Sequence, residues 1–288
     1  MKPGLVLLAT LVVVVACSEK PEAPPAPATA ERIVSLAPNL TELLFTVGAG
    51  SQLVAVSAWS DYPREVLELP VVGDAFTVDQ EQLALSNPDL LLVWESGTPA
   101  HVVDDLRGLG YNVVRIRTRS LNDVADALVQ IGELTGHVAE AEKAAAVYRG
   151  ELQSLRDRYS SLPQIRVFYQ VAARPLYTIN NEHYISELIS VCGGENIFKD
   201  LSDLAPTVDV EAVVDRDPEV LLASTEAGDD AFAEWGRWPE MSANRIGNHF
   251  LLPADEIGRA TTRVIIAGNA MCLALQQARI NRDSAARG

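Results

Sequence analysis

Between Val138 and Ser160 the chain carries its longest unbroken helical periodicity, and the strand and helix patterns on either side of it resemble each other. Apolar or small residues recur at Ala141, Ala144, Ala145, Tyr148, Leu152, Leu155 and Tyr159. Spacing of three and four holds such a stripe to one helix face. Charged residues, Glu140, Lys143, Arg149 and Arg158 among them, fill the rest. No Pro interrupts the segment, and Gly150 weakens it only modestly. At 1.5 Å per residue it would span roughly 34 Å, about the width of a small domain. The pattern predicts a connecting helix over 138–160 between two lobes. An ordinary crossover helix inside one domain is the alternative.

On the N-terminal side, Arg32–Leu36, Leu53–Val56, Leu90–Trp94 and Tyr111–Ile116 read as short apolar strands. Helices are expected from Asn39 to Gly48 and over Asp79–Leu85, Val102–Leu109 and Leu121–Thr135. Asn39 reads as an N-cap, with Glu42 as its capping-box acid. On the C-terminal side the expected strands are Arg166–Val171, Val220–Ala223 and His249–Leu252. The expected helices there are Tyr184–Val191, Val210–Val214 and Val264–Ala278. This alternation predicts an α/β fold with mostly parallel sheets, one lobe over 32–137 and one over 161–281. Residues 282–288 read as a polar tail.

The two halves echo each other. Asp79-Gln80-Glu81 through Asn87-Pro88-Asp89-Leu90-Leu91-Leu92 aligns with Asp209-Val210-Glu211 through Asp217-Pro218-Glu219-Val220-Leu221-Leu222 at one constant offset. A duplicated lobe follows from this. Glu81 and Glu211 would then stand at matching surface points, open to a two-fold partner with one basic pocket per subunit.

The N-terminus does not belong to the fold. Lys2 precedes an apolar run from Gly4 to Ala16, which has signal-peptide length and is short for a membrane span. Val14-Val15-Ala16-Cys17 resembles the lipobox of bacterial lipoproteins, which implies a signal peptide over 1–17 and lipidation of Cys17. An ordinary signal peptide that happens to contain a Cys is the alternative. Residues 18–31 are rich in Pro and Ala and read as an extended tether. Export places the protein where disulfides persist. Cys192 and Cys272 then remain as an even pair, either bridged or as two buried thiols.

The balance of 23 Lys+Arg against 39 Asp+Glu gives a net charge of −16 and argues against nucleic-acid binding. No nucleophile elbow, HExxH, P-loop or GxGxxG motif occurs. The four His residues, His101, His137, His183 and His249, lack metal-ligand spacing and read as surface or loop residues. Chemistry concentrates instead at strand exits, where α/β lobes bind ligands. Trp59 follows one strand, Trp94 ends another, and the loop Asp255–Arg259 follows the last. Two indoles there could wall a large planar ligand. Trp235 and Trp238 read as packing residues.

From Arg32 to about Ala278 the chain resembles the periplasmic substrate-binding proteins of ABC importers for iron complexes and vitamin B12. The segment Val191-Cys192-Gly193-Gly194-Glu195-Asn196-Ile197-Phe198-Lys199-Asp200 carries the resemblance, with Ser60-Asp61-Tyr62-Pro63 and Asn87-Pro88-Asp89-Leu90 in support. It implies two Rossmann-like lobes joined by one long helix, a stiff inter-lobe cleft and little hinge motion. It further implies a Cys192–Cys272 disulfide, and Glu81 and Glu211 docking onto arginines of a dimeric permease in the inner membrane. Trp59, Trp94, Asp255 and Arg259 fall at ligand-contacting positions.

Some positions depart from the family's corrinoid-binding members. Ala75 and Ala205 stand where aromatics are expected, although Phe76 adjoins the first. Glu256-Ile257 replaces aromatics in the second-lobe loop. The expected role is therefore binding without catalysis, in a lipid-anchored periplasmic monomer with no resident cofactor or metal. The expected cargo is a small-molecule metal chelate, first a corrinoid and second an iron–siderophore or haem. A chelatase-like enzyme and a ligand-free scaffold are the competing classes.

Overall fold

The computed structural model describes residues 29–287. The expected signal peptide, Cys17 and most of the tether lie outside the described residues.

Four short apolar runs form the first sheet: β1 (Ile33–Ser35), β2 (Leu53–Val56), β3 (Leu90–Trp94) and β4 (Val113–Ile116). They pair in parallel in the order β2-β1-β3-β4. Helices α1 (Pro38–Thr46), α2 (Gln80–Ser86), α3 (Ala100–Gly108) and α4 (Leu121–Thr135) connect and cover them. Ser120 starts α4 with a full capping box to Asp123, and Gly136, at φ 81°, stops it in the left-handed conformation.

Helix α5 (Val138–Tyr159) follows, and its buried residues are Ala141, Ala145, Tyr148, Leu152, Leu155 and Tyr159. That is the stripe its periodicity predicts, with Ala144 half-buried beside it. A Cβ at Gly132 would lie 2.3 Å from Ala141 Cβ, so glycine is what lets α4 and α5 approach.

The second lobe comprises β5 (Ile165–Gln170), a small hairpin of β6 (Ala172–Ala173) and β7 (Leu176–Tyr177), α6 (Tyr184–Val191) and β8 (Gly194–Asn196). Next come α7 (Val210–Arg216), β9 (Val220–Ser224), α8 (Ser242–Arg245), β10 (His249–Leu252), α9 (Ala254–Gly258) and α10 (Val264–Ala285). Its sheet is parallel in the order β10-β9-β5-β8. Counted within each lobe, both sheets run second, first, third, fourth strand. The echo is local as well. Helices α2 and α7 each start after an Asp, and they end on Asn87 (φ 41°) and Asp217 (φ 42°) before an inner strand. Asn and Asp tolerate this left-handed geometry better than other non-glycine residues.

One apolar core runs from Ile33 and α1 through α4 and the α5 stripe to β5, α6 and α10. Separate clusters cover the outer face of each sheet. Both faces of each sheet are thus buried, as parallel sheets require. The lobes are welded along α5 rather than hung from a flexible hinge.

Local readings change in four places. Pro38 opens α1 after Ala37, and Asn39 makes no cap; its amide reaches Thr118 Oγ1 at 3.4 Å instead. Glu42 likewise leaves its own helix end and turns toward the other lobe. Gly194–Asn196, absent from the expected strands, forms β8 by pairing in parallel with β5. Ala254–Gly258 is a short helix rather than a loop. Finally, α10 runs on to Ala285, past the expected tail boundary, where Arg282 donates to Gln164 O at 3.0 Å and pairs with Glu219 at 3.2 Å.

Candidate functional site

The exit of β2 builds one wall. Ser57, Ser60 and Thr41 are buried, and their hydroxyls lie 3.2–3.3 Å apart, which pins the base of the loop. Trp59 projects from it at φ 67°, a backbone region that is strained for a bulky residue. Its side chain is 81% exposed. An exposed indole in a strained conformation is uncommon, because such strain persists only where the surroundings over-determine it.

The exit of β3 supplies Trp94, half-buried, with its ring over Gly97. A Cβ at Gly97 would lie 2.1 Å from Trp94 Cε3, so only glycine allows that stacking. Trp94 Nε1 and Thr98 Oγ1 are buried without a hydrogen-bond partner. Unpaired buried donors are costly and uncommon in native folds.

Arg259, immediately after α9, comes from the second lobe. It shares a 250 Å³ cavity with Trp59, Trp94 and Asn39. Three of the four expected ligand residues therefore meet across the lobes. Asp255 stays at the edge, exposed and 3.5 Å from Arg259, and does not line that cavity. A 670 Å³ cavity opens at the exits of β5 and β9, with Gln170, Ser224, Glu226 and Asp230 on its wall. A 720 Å³ groove between α5 and α10 lies on helix faces, away from the strand exits.

A buried ion network sits behind Arg259. Glu42, 3% exposed, accepts from Arg259 at 2.9 Å, Arg263 at 3.1 Å and Thr261 Oγ1 at 3.1 Å. Arg259 also donates to Asp61 at 2.7 Å and to Trp59 O at 3.2 Å. Arg263 stacks 4.1 Å over the Tyr62 ring and pairs with Glu256. The hydrogen bond from Arg259 holds the Asp61 carboxyl below the usual carboxylate range, against the smaller effect of burial. Burial disfavours the Arg259 charge, but its hydrogen bonds to Asp61 and Glu42 outweigh it and keep the guanidinium protonated. Residue pattern missed this network. An acid set among Leu40, Leu43 and Leu44 was its one sequence signal, since a carboxylate on an apolar face needs a partner.

Of the substituted aromatic positions, Ala205 is exposed and Ala75 half-buried, whereas Phe76 is exposed. Ile257 is fully buried, so it cannot stand in for a cleft aromatic. Glu81 and Glu211 are both exposed in the first turns of α2 and α7. Cys192 and Cys272 are bridged, with an S–S distance of 2.00 Å and Cα atoms 4.7 Å apart. Trp235 is buried and donates to Gln170 Oε1 at 2.8 Å, and Trp238 packs partly buried beside it. His183 and His249 prove to be structural rather than loop residues. His183 caps α6, accepting from Ile185 N at 3.2 Å, and His249 bonds Asn244 Oδ1 at 2.7 Å. Among the described residues, no cluster of His, Cys, Asp or Glu could hold a metal ion, and no helix is long and apolar enough to cross a membrane.

Comparison with known proteins agrees with this architecture. The periplasmic binding protein family matches residues 33–256. Over 251 residues the chain is 37% identical to the vitamin B12-binding protein of Vibrio cholerae serotype O1, covering 87% of this chain and 91% of that one. It is 35% identical to the vitamin B12-binding protein of Yersinia pestis, covering 84% of this chain and 85% of that one. The crystal structure of the periplasmic vitamin B12 binding protein of Vibrio cholerae aligns with a TM-score of 0.80 at 36% identity, over 87% of this chain and 98% of that one. A periplasmic haem-binding protein of Vibrio cholerae shares the fold alone, with a TM-score of 0.74 at 21% identity, over 85% of this chain and 98% of that one. Because the match takes in both sheets and the helix between them, the chain belongs to the periplasmic binding protein family.

Proposed function

We propose that this protein captures a corrinoid between its lobes and delivers it to a dimeric ABC permease in the inner membrane. The observation that carries the reading is the convergence of Trp59 and Trp94 from one lobe with Arg259 from the other on a single cavity. A corrin ring is large and flat, and its rim bears amides. Indole faces suit the ring. Guanidinium donors and a carboxylate acceptor, here Arg259 and Asp61, suit amide carbonyls and N–H groups. The enclosed volume of 250 Å³ is below that of an ordinary ligand pocket, so the ring would lie across the open mouth against Trp59. The identity to vitamin B12-binding proteins supports the same ligand.

The role is binding without turnover. Glu81 and Glu211 are the docking acids in this reading, each aimed at one arginine pocket of a two-fold permease. Delivery places the protein in the periplasm, held to a membrane by lipid on Cys17. The core shared through α5 supports a small shape change on binding. Scattering curves with and without ligand should nearly superpose, and a large domain closure would contradict the proposal.

Calorimetry against cyanocobalamin, cobinamide, haemin and a ferric siderophore tests the ligand. Both corrinoids should bind one to one. No heat with either corrinoid defeats the assignment, and heat with haemin or the siderophore alone transfers it to an iron chelate.

A further inference from the structure

Glu42 lies on α1 among residues that fill the core, yet three side chains of the other lobe converge on it: Arg259, Thr261 and Arg263. The first of these contacts closes a sequence separation of 217 residues. A buried ion cluster is a poor device for stability alone, because well-packed apolar residues often serve as well or better. Its directional hydrogen bonds fix geometry in a way that apolar contacts do not. The geometry fixed here is that of the cleft. Arg259 uses one nitrogen for both Glu42 and Asp61 and the other for Trp59 O. The side chain of Glu42 is 3% exposed, whereas that of Asp61 is 53% exposed. One carboxylate is therefore a permanent anchor, and the other is open to exchange with ligand or water.

We infer that Glu42 is a positioning residue for the cleft: it locks Arg259 and Arg263 across the lobe boundary and, through Arg259, holds Trp59 against the cavity. Asp61 is the outer, releasable half of the same clamp. The strained backbone at Trp59 fits this assignment, since a residue at φ 67° persists where its surroundings over-determine it. The Arg259 bonds to Trp59 O and Asp61 are two such restraints, and both originate in the opposite lobe.

The test uses the full protein, spin-labelled on the exposed helices α2 and α7 at Leu85→Cys and Asp215→Cys. Pulsed dipolar spectroscopy then reads the lobe–lobe distance distribution without ligand, and hydrogen exchange reads the backbone of residues 57–62. Glu42→Gln should widen the distribution and speed exchange in that loop by about tenfold or more, on the scale of one lost buried charge-assisted bond. Asp61→Asn should speed loop exchange while leaving the distribution unchanged. A folded Glu42→Gln protein with both readouts unchanged overturns the inference. Should that variant fail to fold, Thr261→Val removes only the hydroxyl donor to Glu42. It should produce a smaller widening, and an unchanged width overturns the inference. A third readout, corrinoid affinity, rests on the proposed function and should fall about tenfold in Glu42→Gln. Altered distances in a protein that binds no corrinoid would sink the ligand reading and leave the positioning role standing.

Discussion

The Glu187 carboxylate of the second lobe accepts the backbone N–H of Leu121, at the start of α4 in the first lobe, at 2.8 Å. Its other oxygen takes Arg156 of α5 at 2.7 Å, and Tyr148 Oη donates to Leu121 O at 2.9 Å. One lobe thus caps a helix of the other, with α5 supplying the remaining partners. Glu187→Ala should cost about 2 kcal/mol, from an unsatisfied helix N–H and a half-buried guanidinium left without its acid. For a chain of this size that lowers Tm by about 4–8 °C. Thermal unfolding checks it, and ligand affinity should not change, because Glu187 lies outside the Trp59 cavity.

The Cys192–Cys272 bridge closes a sequence separation of 80 residues, and both sulfurs are buried. Replacing both cysteines with Ala should cost about 2–5 kcal/mol, chiefly through a less constrained unfolded state. Denaturant titration of the double variant measures the loss. In the native protein, burial should hold reduction by thiols to the rate of global unfolding.

Burial lowers the His183 pKa from 6.5 to about 4. As pH falls, the unfolded chain takes up this proton first, so its contribution to stability is complete above pH 6.5 and declines toward pH 4. The loss should reach about 2–3 kcal/mol. The physical cause is desolvation, since a charged ring at this buried position loses its hydration; protonation on Nδ1 would also remove the acceptor for the Ile185 N–H. His183→Asn keeps an N-cap acceptor and removes the titration. Its stability should be flatter across that window in denaturant titrations run from pH 7 to pH 4.

Trp59 sets stability against binding. Trp59→Gly relieves the positive φ and removes a side chain that packs little, so folding should gain about 0.5–1 kcal/mol. Corrinoid affinity should fall about 10- to 100-fold, as for an aromatic anchor. Gly97→Ala should weaken binding by tilting Trp94, and it should also destabilise the fold by about 1–3 kcal/mol through overpacking. Calorimetry and thermal unfolding on the same preparations separate the two effects.

Glu81→Ala combined with Glu211→Ala should abolish corrinoid uptake by cells while leaving affinity and Tm unchanged. Both acids are exposed, and neither lines the Trp59 cavity. Lost affinity in the purified double variant would assign these acids to the ligand and overturn the proposed docking role.

Periodicity and local chemistry determined the elements. The α5 stripe, the alternation of short strands with helices and the Asp-to-Pro echo are all readable because each depends on residues within a turn or two of one another. Trp59 and Trp94 were legible for the same reason, as aromatics at strand exits. What the tertiary structure alone decided is who meets whom across the α5 weld. Glu42 carries a capping signature by its spacing, yet its burial among Leu40, Leu43 and Leu44 left it no solvent. Its charge therefore had to be met by Arg259 and Arg263 from more than 200 residues away. Asp255 and Arg259 look equivalent on one short segment, but the turn after α9 sends Arg259 into the cavity and leaves Asp255 at its rim. Desolvation and three-dimensional proximity settle such pairings, and neither leaves a period in the sequence.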